Sequence, residues 1–159
     1  MAPNTLRIPC ISAFIVTFLV FVGPVLAGHG GEGVTLDTDE NGLAIRGYDS
    51  VAYFTEGKAT RGIDEHQYTW LDATWYFSSA RNRALFVANP EKYAPQYGAF
   101  CALGVSVHQA VSVDPEAWTI VNGKLYLNYN LEYRDKWQQN KLQKIAKADA
   151  VWSEHKIPE

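Results

Sequence analysis

Residues 118–129 read WTIVNGKLYLNY, two β-branched and aromatic runs that meet at Asn122-Gly123. Asn and Gly are the two residues that accept left-handed backbone angles at least cost, so this pair between alternating apolar runs specifies a two-residue type I′ hairpin turn. A lone two-stranded hairpin is marginal in water and needs an apolar partner. The rest of the chain must therefore supply a cover for it.

A second hairpin is expected at residues 66–79, HQYTWLDATWYFSS, with its turn around Asp72-Ala73. Alanine at positive φ costs roughly 1–2 kcal/mol, so a wider turn fits as well. Upstream, LAIRGYDSVAYF (43–54) predicts a short strand, a turn at Gly47-Tyr48-Asp49 and a second extended piece over Val51–Phe54. Ser79 is placed to cap a helix over ARNRALFVA (80–88), with Ala84, Leu85 and Ala88 on one side and Asn89-Pro90 as its end. Leu103, Val105 and Val107 alternate with small residues, a run short enough to fit a strand or a helical turn. Asp114-Pro115-Glu116 reads as a one-turn helix start. Asn130 caps a long C-terminal helix with an apolar stripe of Tyr133, Trp137, Leu142, Ile145 and Trp152 and a Glu132–Lys136 i,i+4 pair. The predicted class is α+β: a small antiparallel sheet of two or three hairpins, with a short central helix and a long C-terminal helix on one face.

Arg7 precedes an apolar run, IPCISAFIVTFLVFVGPVLA, that closes on Val25-Leu26-Ala27. Pro9, Gly23 and Pro24 bracket too few strongly apolar residues for the ~20 of a membrane span. The segment reads as a secretory signal peptide (1–27) rather than an anchor. Removing it leaves 132 of the 159 residues, one domain's worth. Glycine-rich and acidic residues 28–42 are expected to form a flexible leader, and 43–159 the domain. GHGGEG (28–33) spells a dinucleotide-binding pattern, but that motif needs a strand before it and a helix after it, whereas here the expected cleavage site precedes and an acidic turn follows. Losing Arg7 from 14 basic residues leaves 13 against 17 acidic ones, a net charge of −4 with no basic cluster. Nucleic acid is therefore not an expected partner. Nor is a membrane, once the signal segment is gone.

Three stretches, GYDSVAYFTEGKA (47–59), WYFSSARNRALFVANPEKYAPQYGAFCALGVS (75–106) and DPEAWTIVNGKLYLNYN (114–130), resemble the YHS domain family in its exported, single-domain form. The resemblance spans most of residues 43–150. It implies a small α+β module, also found attached to heavy-metal transporters and related to a cysteine-rich metal-binding module, and hence metal binding or trafficking. The metal-associated members carry a cysteine after an Asp-Pro-Val segment, another in Tyr-Phe-Cys-Ser, and a third in the following helix. Here Asp49-Ser50-Val51-Ala52, Tyr76-Phe77-Ser78-Ser79 and Asn82 stand in those places. Serine and asparagine are poor ligands for soft or borderline metals, so that ligand set does not carry over.

With Cys10 in the signal segment, Cys101 is the only thiol of the exported form, and no intramolecular disulfide is possible. A lone extracytoplasmic thiol is buried, ligated or paired with another chain. His108 lies seven residues on, and thiolate with imidazole suits copper or zinc. Seven residues put the two on opposite faces of a strand, or about 10 Å apart along a helix, so a loop bending at Gly104 would have to bring them together. His66, His29, Asp49 and Glu116 are the further ligands that could converge. A new N-terminus at Gly28-His29 would also chelate Cu(II), weakly.

GVSVH (104–108) falls one glycine short of a nucleophile elbow around Ser106, in a chain too short for the sheet that strains such an elbow. No acid–base pair is readable, and no enzyme is expected. Of the aromatic residues, most of them core material, Tyr53 and Tyr97 are the candidates for lining a small-ligand pocket. The leading expectation is thus an exported, periplasmic or secreted, non-enzymatic module binding copper or zinc through Cys101 and His108. The alternative is a metal-free small-ligand or protein-interaction domain with Cys101 packed in the core.

Overall fold

A side chain creates the first helix. The computed structural model describes residues 35–154. In it, one oxygen of the Asp49 carboxylate accepts the N–H groups of Val51 and Ala52 at 2.9 and 3.2 Å. Such a cap satisfies donors that a helix start leaves free, so the stretch expected to be extended closes instead into α1 (Ala52–Thr55). Residues 45–47 before it form a 3₁₀ turn rather than a strand.

The hairpins follow. Strand β1 (Ile63–Trp70) pairs antiparallel with β2 (Ala73–Phe77). The turn is Leu71-Asp72, one residue earlier than expected, and both residues take positive φ, 50° and 58°. That slip sets which side chains face inward: Ala73, Trp75 and Phe77 are buried and alternate with half-buried Thr74 and Tyr76. Ser79 caps α2 (Ala80–Ala88) by accepting the Asn82 N–H. The residues α2 buries are Asn82 and Phe86, with Leu85 of the predicted side half-buried against the same cluster and Ala84 and Ala88 exposed, because docking on the hairpin selects the i,i+4 pair that points at it. Asn89 ends α2 and caps α3 (Pro90–Tyr93), and Cys101 caps the single turn of α4 (Ala102–Val105).

Asp114-Pro115-Glu116 does not open a helix. It lies at the start of β3 (Asp114–Val121), where proline is tolerated because the first residues of a strand can forgo a ladder donor. Strand β4 (Lys124–Asn128) returns antiparallel through Asn122-Gly123, with φ 51° and 74°, as the turn chemistry dictates. The C-terminal helix is two helices. Asn130 caps α5 (Leu131–Gln138), Asn140 at φ 61° breaks the path, and α6 (Lys141–Ser153) follows. The break moves Tyr133 and Leu142 of the expected stripe to the exposed surface and buries Trp137, Ala148 and Val151. Glu132 and Lys136 pair at 2.6 Å on the exposed side, where water and salt screen such a pair and its contribution is small.

The described residues thus make a small α+β fold of six helices and two two-stranded antiparallel sheets. Its centre is β4. Leu125 and Leu127 enter a cluster with Trp75, Phe77, Phe86 and Tyr53. Tyr126 points the other way, into a cluster with Tyr97, Val105, Trp137 and Val151. The period-two alternation of a strand, covered on both faces, explains why LYLN is buried residue after residue.

The signal segment lies outside the described residues, as do Cys10, His29 and the GHGGEG stretch. The part of the predicted leader that is described belongs to the domain. Leu36 packs against the first cluster, the Asp37 N–H donates to the Gly98 carbonyl at 2.7 Å, and Thr38 bridges to Ala44. Among the described residues no helix is long and apolar enough to cross a membrane.

Candidate ligand groove

The residues singled out for metal go to different environments. Cys101 is 1% exposed. Its sulfur accepts the Gly104 N–H at 3.5 Å and faces Asn128 Oδ1 at 3.8 Å, and that oxygen also accepts the Leu103 N–H. The thiol therefore serves as the cap of α4 inside the core. Residues 102–105 are helical, so Gly104 forms no loop that folds His108 back. His108 follows in an exposed left-handed turn at φ 62°. The structure buries the thiol and exposes the imidazole, which corrects the expected shared site. Ser106 has turned its hydroxyl to the Leu103 carbonyl at 2.7 Å, closing the same helical turn. His66 is half-buried on β1 and Glu116 exposed on β3. Among the described residues no three His, Cys, Asp or Glu side chains are grouped to hold a metal ion.

A lone thiol in this position should resist reagents. Modification of Cys101 by an aromatic disulfide in the native protein is expected to run on the order of 10³-fold slower than in urea, because it waits on opening of the α4 region. Reaction at the unfolded rate under native conditions would mean that the sulfur is not packed as described.

The three positions where the family resemblance would place thiols do converge, but around a carboxylate. Asp49 is fully buried. Besides the Val51 and Ala52 amides, it accepts the Ser78 N–H at 2.8 Å, the Ser78 hydroxyl at 2.7 Å and the Asn82 amide at 2.7 Å. Five donors directed at two oxygens satisfy this carboxylate without a cation. The donors aim inward at Asp49 and leave no soft ligand, so this cluster does not fit a thiophilic metal. It fastens α1 to the start of α2.

Of the two tyrosines proposed for a pocket, Tyr53 is enclosed: it is buried, donates to the Pro115 carbonyl at 3.0 Å and packs on Trp118 at 5.3 Å. Burial first, and the Glu116 carboxylate second, push its phenol far above the usual range. Tyr97 is buried too, at 5% exposure, but it borders a groove of about 300 Å³ lined among others by Trp70, Leu36, Glu91, Asp149 and Trp152.

Each wall has a local cause. Trp70 sits at the end of β1, fixed edge-on against Phe86 at 5.6 Å and 84°. Tyr97, Gly98 and Ala99 take three successive positive φ angles, 58°, 60° and 69°. A tyrosine in that region costs about 1–2 kcal/mol, a cost carried here by the contacts of its ring and hydroxyl. The ring lies 5.8 Å from Tyr126 and 6.0 Å from Trp152. The hydroxyl donates to Asp149 Oδ1 at 2.8 Å. Burial, then that hydrogen bond, raise the Tyr97 phenol far above the usual range, so it stays a donor at any physiological pH. Asp149 and Trp152 are three residues apart on α6 and share a face.

Gly98 closes the floor. A Cβ there would lie 2.3 Å from the Thr35 carbonyl oxygen and 2.9 Å from the Trp152 ring. Gly98→Ala is expected to cost about 2–3 kcal/mol, from the left-handed angle and the backbone clash together, measured as a lower urea midpoint at unchanged m value. A loss under about 0.5 kcal/mol would show that the segment before Asp37 does not pack there.

Trp70, Glu91, Asp149 and Trp152 were not expected at a site. Trp70 and Trp152 read from sequence as core aromatics, and the two carboxylates had no partner at a readable spacing. The one local hint was the i,i+3 relation of Asp149 to Trp152. No family model, no curated protein and no solved structure matches this chain.

Proposed function

We propose that this chain is an exported, YHS-like, non-enzymatic module that binds a small organic ligand in the Trp70–Tyr97–Trp152 groove, with Cys101 as a core residue. The observation that carries the reading is the strained Tyr97 on the wall of a concavity of about 300 Å³. Strain of this kind persists where surrounding contacts over-determine it, and it clusters at ligand clamps. Aromatic walls with a few fixed polar groups are the usual make-up of small-molecule sites, and this volume lies at the small end of their range. The metal reading through Cys101 and His108 loses its support because the sulfur is enclosed and already engaged by Gly104 and Asn128.

Ligand-observed and protein-observed NMR with a set of small polar and aromatic fragments tests the reading. Fragments are expected to shift the indole N–H signals of Trp70 and Trp152 saturably, leaving those of buried Trp75 and Trp137 in place. A Trp152→Ala variant that remains folded should lose the response. If no fragment moves the two groove signals, the reading fails. Export is tested separately, by finding Gly28 as the N-terminus of protein recovered outside the cytoplasm.

A further inference from the structure

We infer that the groove takes a small organic cation, an alkylated ammonium whose charge sits between Glu91 and Asp149 and whose alkyl body lies against Trp70, Tyr97 and Trp152. This rests on the ligand-groove reading above and adds the charge and chemical class of the ligand.

Three observations point the same way. First, among the described residues the lining carries two carboxylates, Glu91 and Asp149, and no lysine, arginine or histidine. Second, neither carboxylate has an ion-pair partner among the described residues. Asp149 receives one hydrogen bond, on Oδ1 from Tyr97, and Oδ2 receives none among those residues. Lys92, next to Glu91 in sequence, is turned onto the Tyr93 ring at 4.8 Å. Third, the lining includes two half-buried indoles, Trp70 and Trp152, beside the Tyr97 phenol. Aromatic rings attract a cation whose hydration is weak enough to give up, which favours an alkylated ammonium over a strongly hydrated metal ion. A neutral apolar ligand would use the rings alone and gain nothing from the two carboxylates, which are exposed and stay hydrated beside it. An anion would meet two like charges. A cation with an apolar surface matches both kinds of wall.

The Tyr97 hydroxyl adds a positioning element. By holding Oδ1 it fixes the Asp149 carboxylate toward the groove, so the acceptor is oriented before a ligand arrives.

Choline and 3,3-dimethyl-1-butanol have nearly the same shape and differ in whether the branched centre is a charged nitrogen or a neutral carbon. Titrating the protein with each, and following the Trp70 and Trp152 indole signals, is expected to show choline binding at least about tenfold more tightly. Glu91→Gln and Asp149→Asn preserve size, and the Asp149→Asn amide keeps an oxygen that accepts the Tyr97 hydroxyl. Together they should erase the preference while leaving the alcohol's affinity and the unfolding midpoint in place. Equal binding of the two probes would overturn the cation assignment and leave the ligand groove standing. Failure of choline to move either signal, while another fragment does, would overturn it too. If no fragment and neither probe moves the groove signals, the fault lies with the ligand-groove reading itself. A choline response that survives in the double variant would place the cation elsewhere.

Discussion

Replacing Asp49 by alanine is expected to destabilise the protein by about 3–5 kcal/mol, read from the shift of the urea unfolding midpoint. The carboxylate is fully buried and accepts five hydrogen bonds, three from backbone N–H groups that cannot move away without unwinding an element. An orphaned buried donor costs about 1–3 kcal/mol. Water entering the small space left by the side chain would recover part of that, which is why the expected total is below the sum. Against a domain stability of about 5–15 kcal/mol this is a large fraction. Asp49→Asn keeps the shape but turns one oxygen into a donor that faces other donors, so it should cost about 2–3 kcal/mol rather than restore the wild-type value. Asn82→Ala removes one of the five bonds and should cost less than either. A loss under about 1 kcal/mol for Asp49→Ala would mean that the amides around it are satisfied in another way, and α1 would need a different explanation.

Phe86→Ala is expected to cost a similar amount, about 3–5 kcal/mol, by a different mechanism: a cavity in a core that cannot collapse around it. Phe86 is fully buried, and its ring meets Trp75 at 4.9 Å, Phe77 at 5.1 Å, Trp70 at 5.6 Å and Tyr68 at 6.3 Å. It is the contact through which α2 docks on the β1–β2 hairpin. For a domain of this size the loss corresponds to a melting temperature lower by roughly 10–20 °C. Phe86→Leu, closer in volume, should cost less than about 1.5 kcal/mol. Because Phe86 supports Trp70, the alanine variant should also weaken ligand binding in the groove at temperatures where it is still folded, and the leucine variant much less. A stability loss with no change in the Trp70 indole signal would separate the core from the groove.

The elements that were legible in the sequence are those whose causes lie within a few residues. Asn122-Gly123 makes its turn because both residues tolerate left-handed angles. Ser79 and Asn130 cap their helices because a hydroxyl or amide oxygen reaches an N–H three residues on. Where the reading missed, a distant partner or a competing local conformation decided. Val51–Phe54 looked extended from its β-branched and aromatic content, yet the carboxylate two residues earlier, itself anchored 29 residues away at Ser78, closes it into a helix. The C-terminal stripe implied one helix, and Asn140 in a left-handed conformation divides it.

The candidate site was legible only in part. Tyr97 stands in the groove, and Tyr53, chosen on the same grounds, does not, because nothing local distinguishes a tyrosine whose hydroxyl meets a backbone carbonyl from one that lines a cavity. The pairing of Cys101 with His108 rested on nearness in sequence. Burial decided otherwise, since Asn128, 27 residues away, meets the sulfur. By itself, then, the sequence determined the α+β class, the two hairpins and the main helix caps, because dihedral preference and capping act over one to four residues. Only the tertiary structure decided which thiol is hidden, which carboxylate is saturated and which aromatic rings face the groove. Those outcomes depend on contacts such as Tyr97 with Asp149, 52 residues apart, whose energies arise only once the chain has folded.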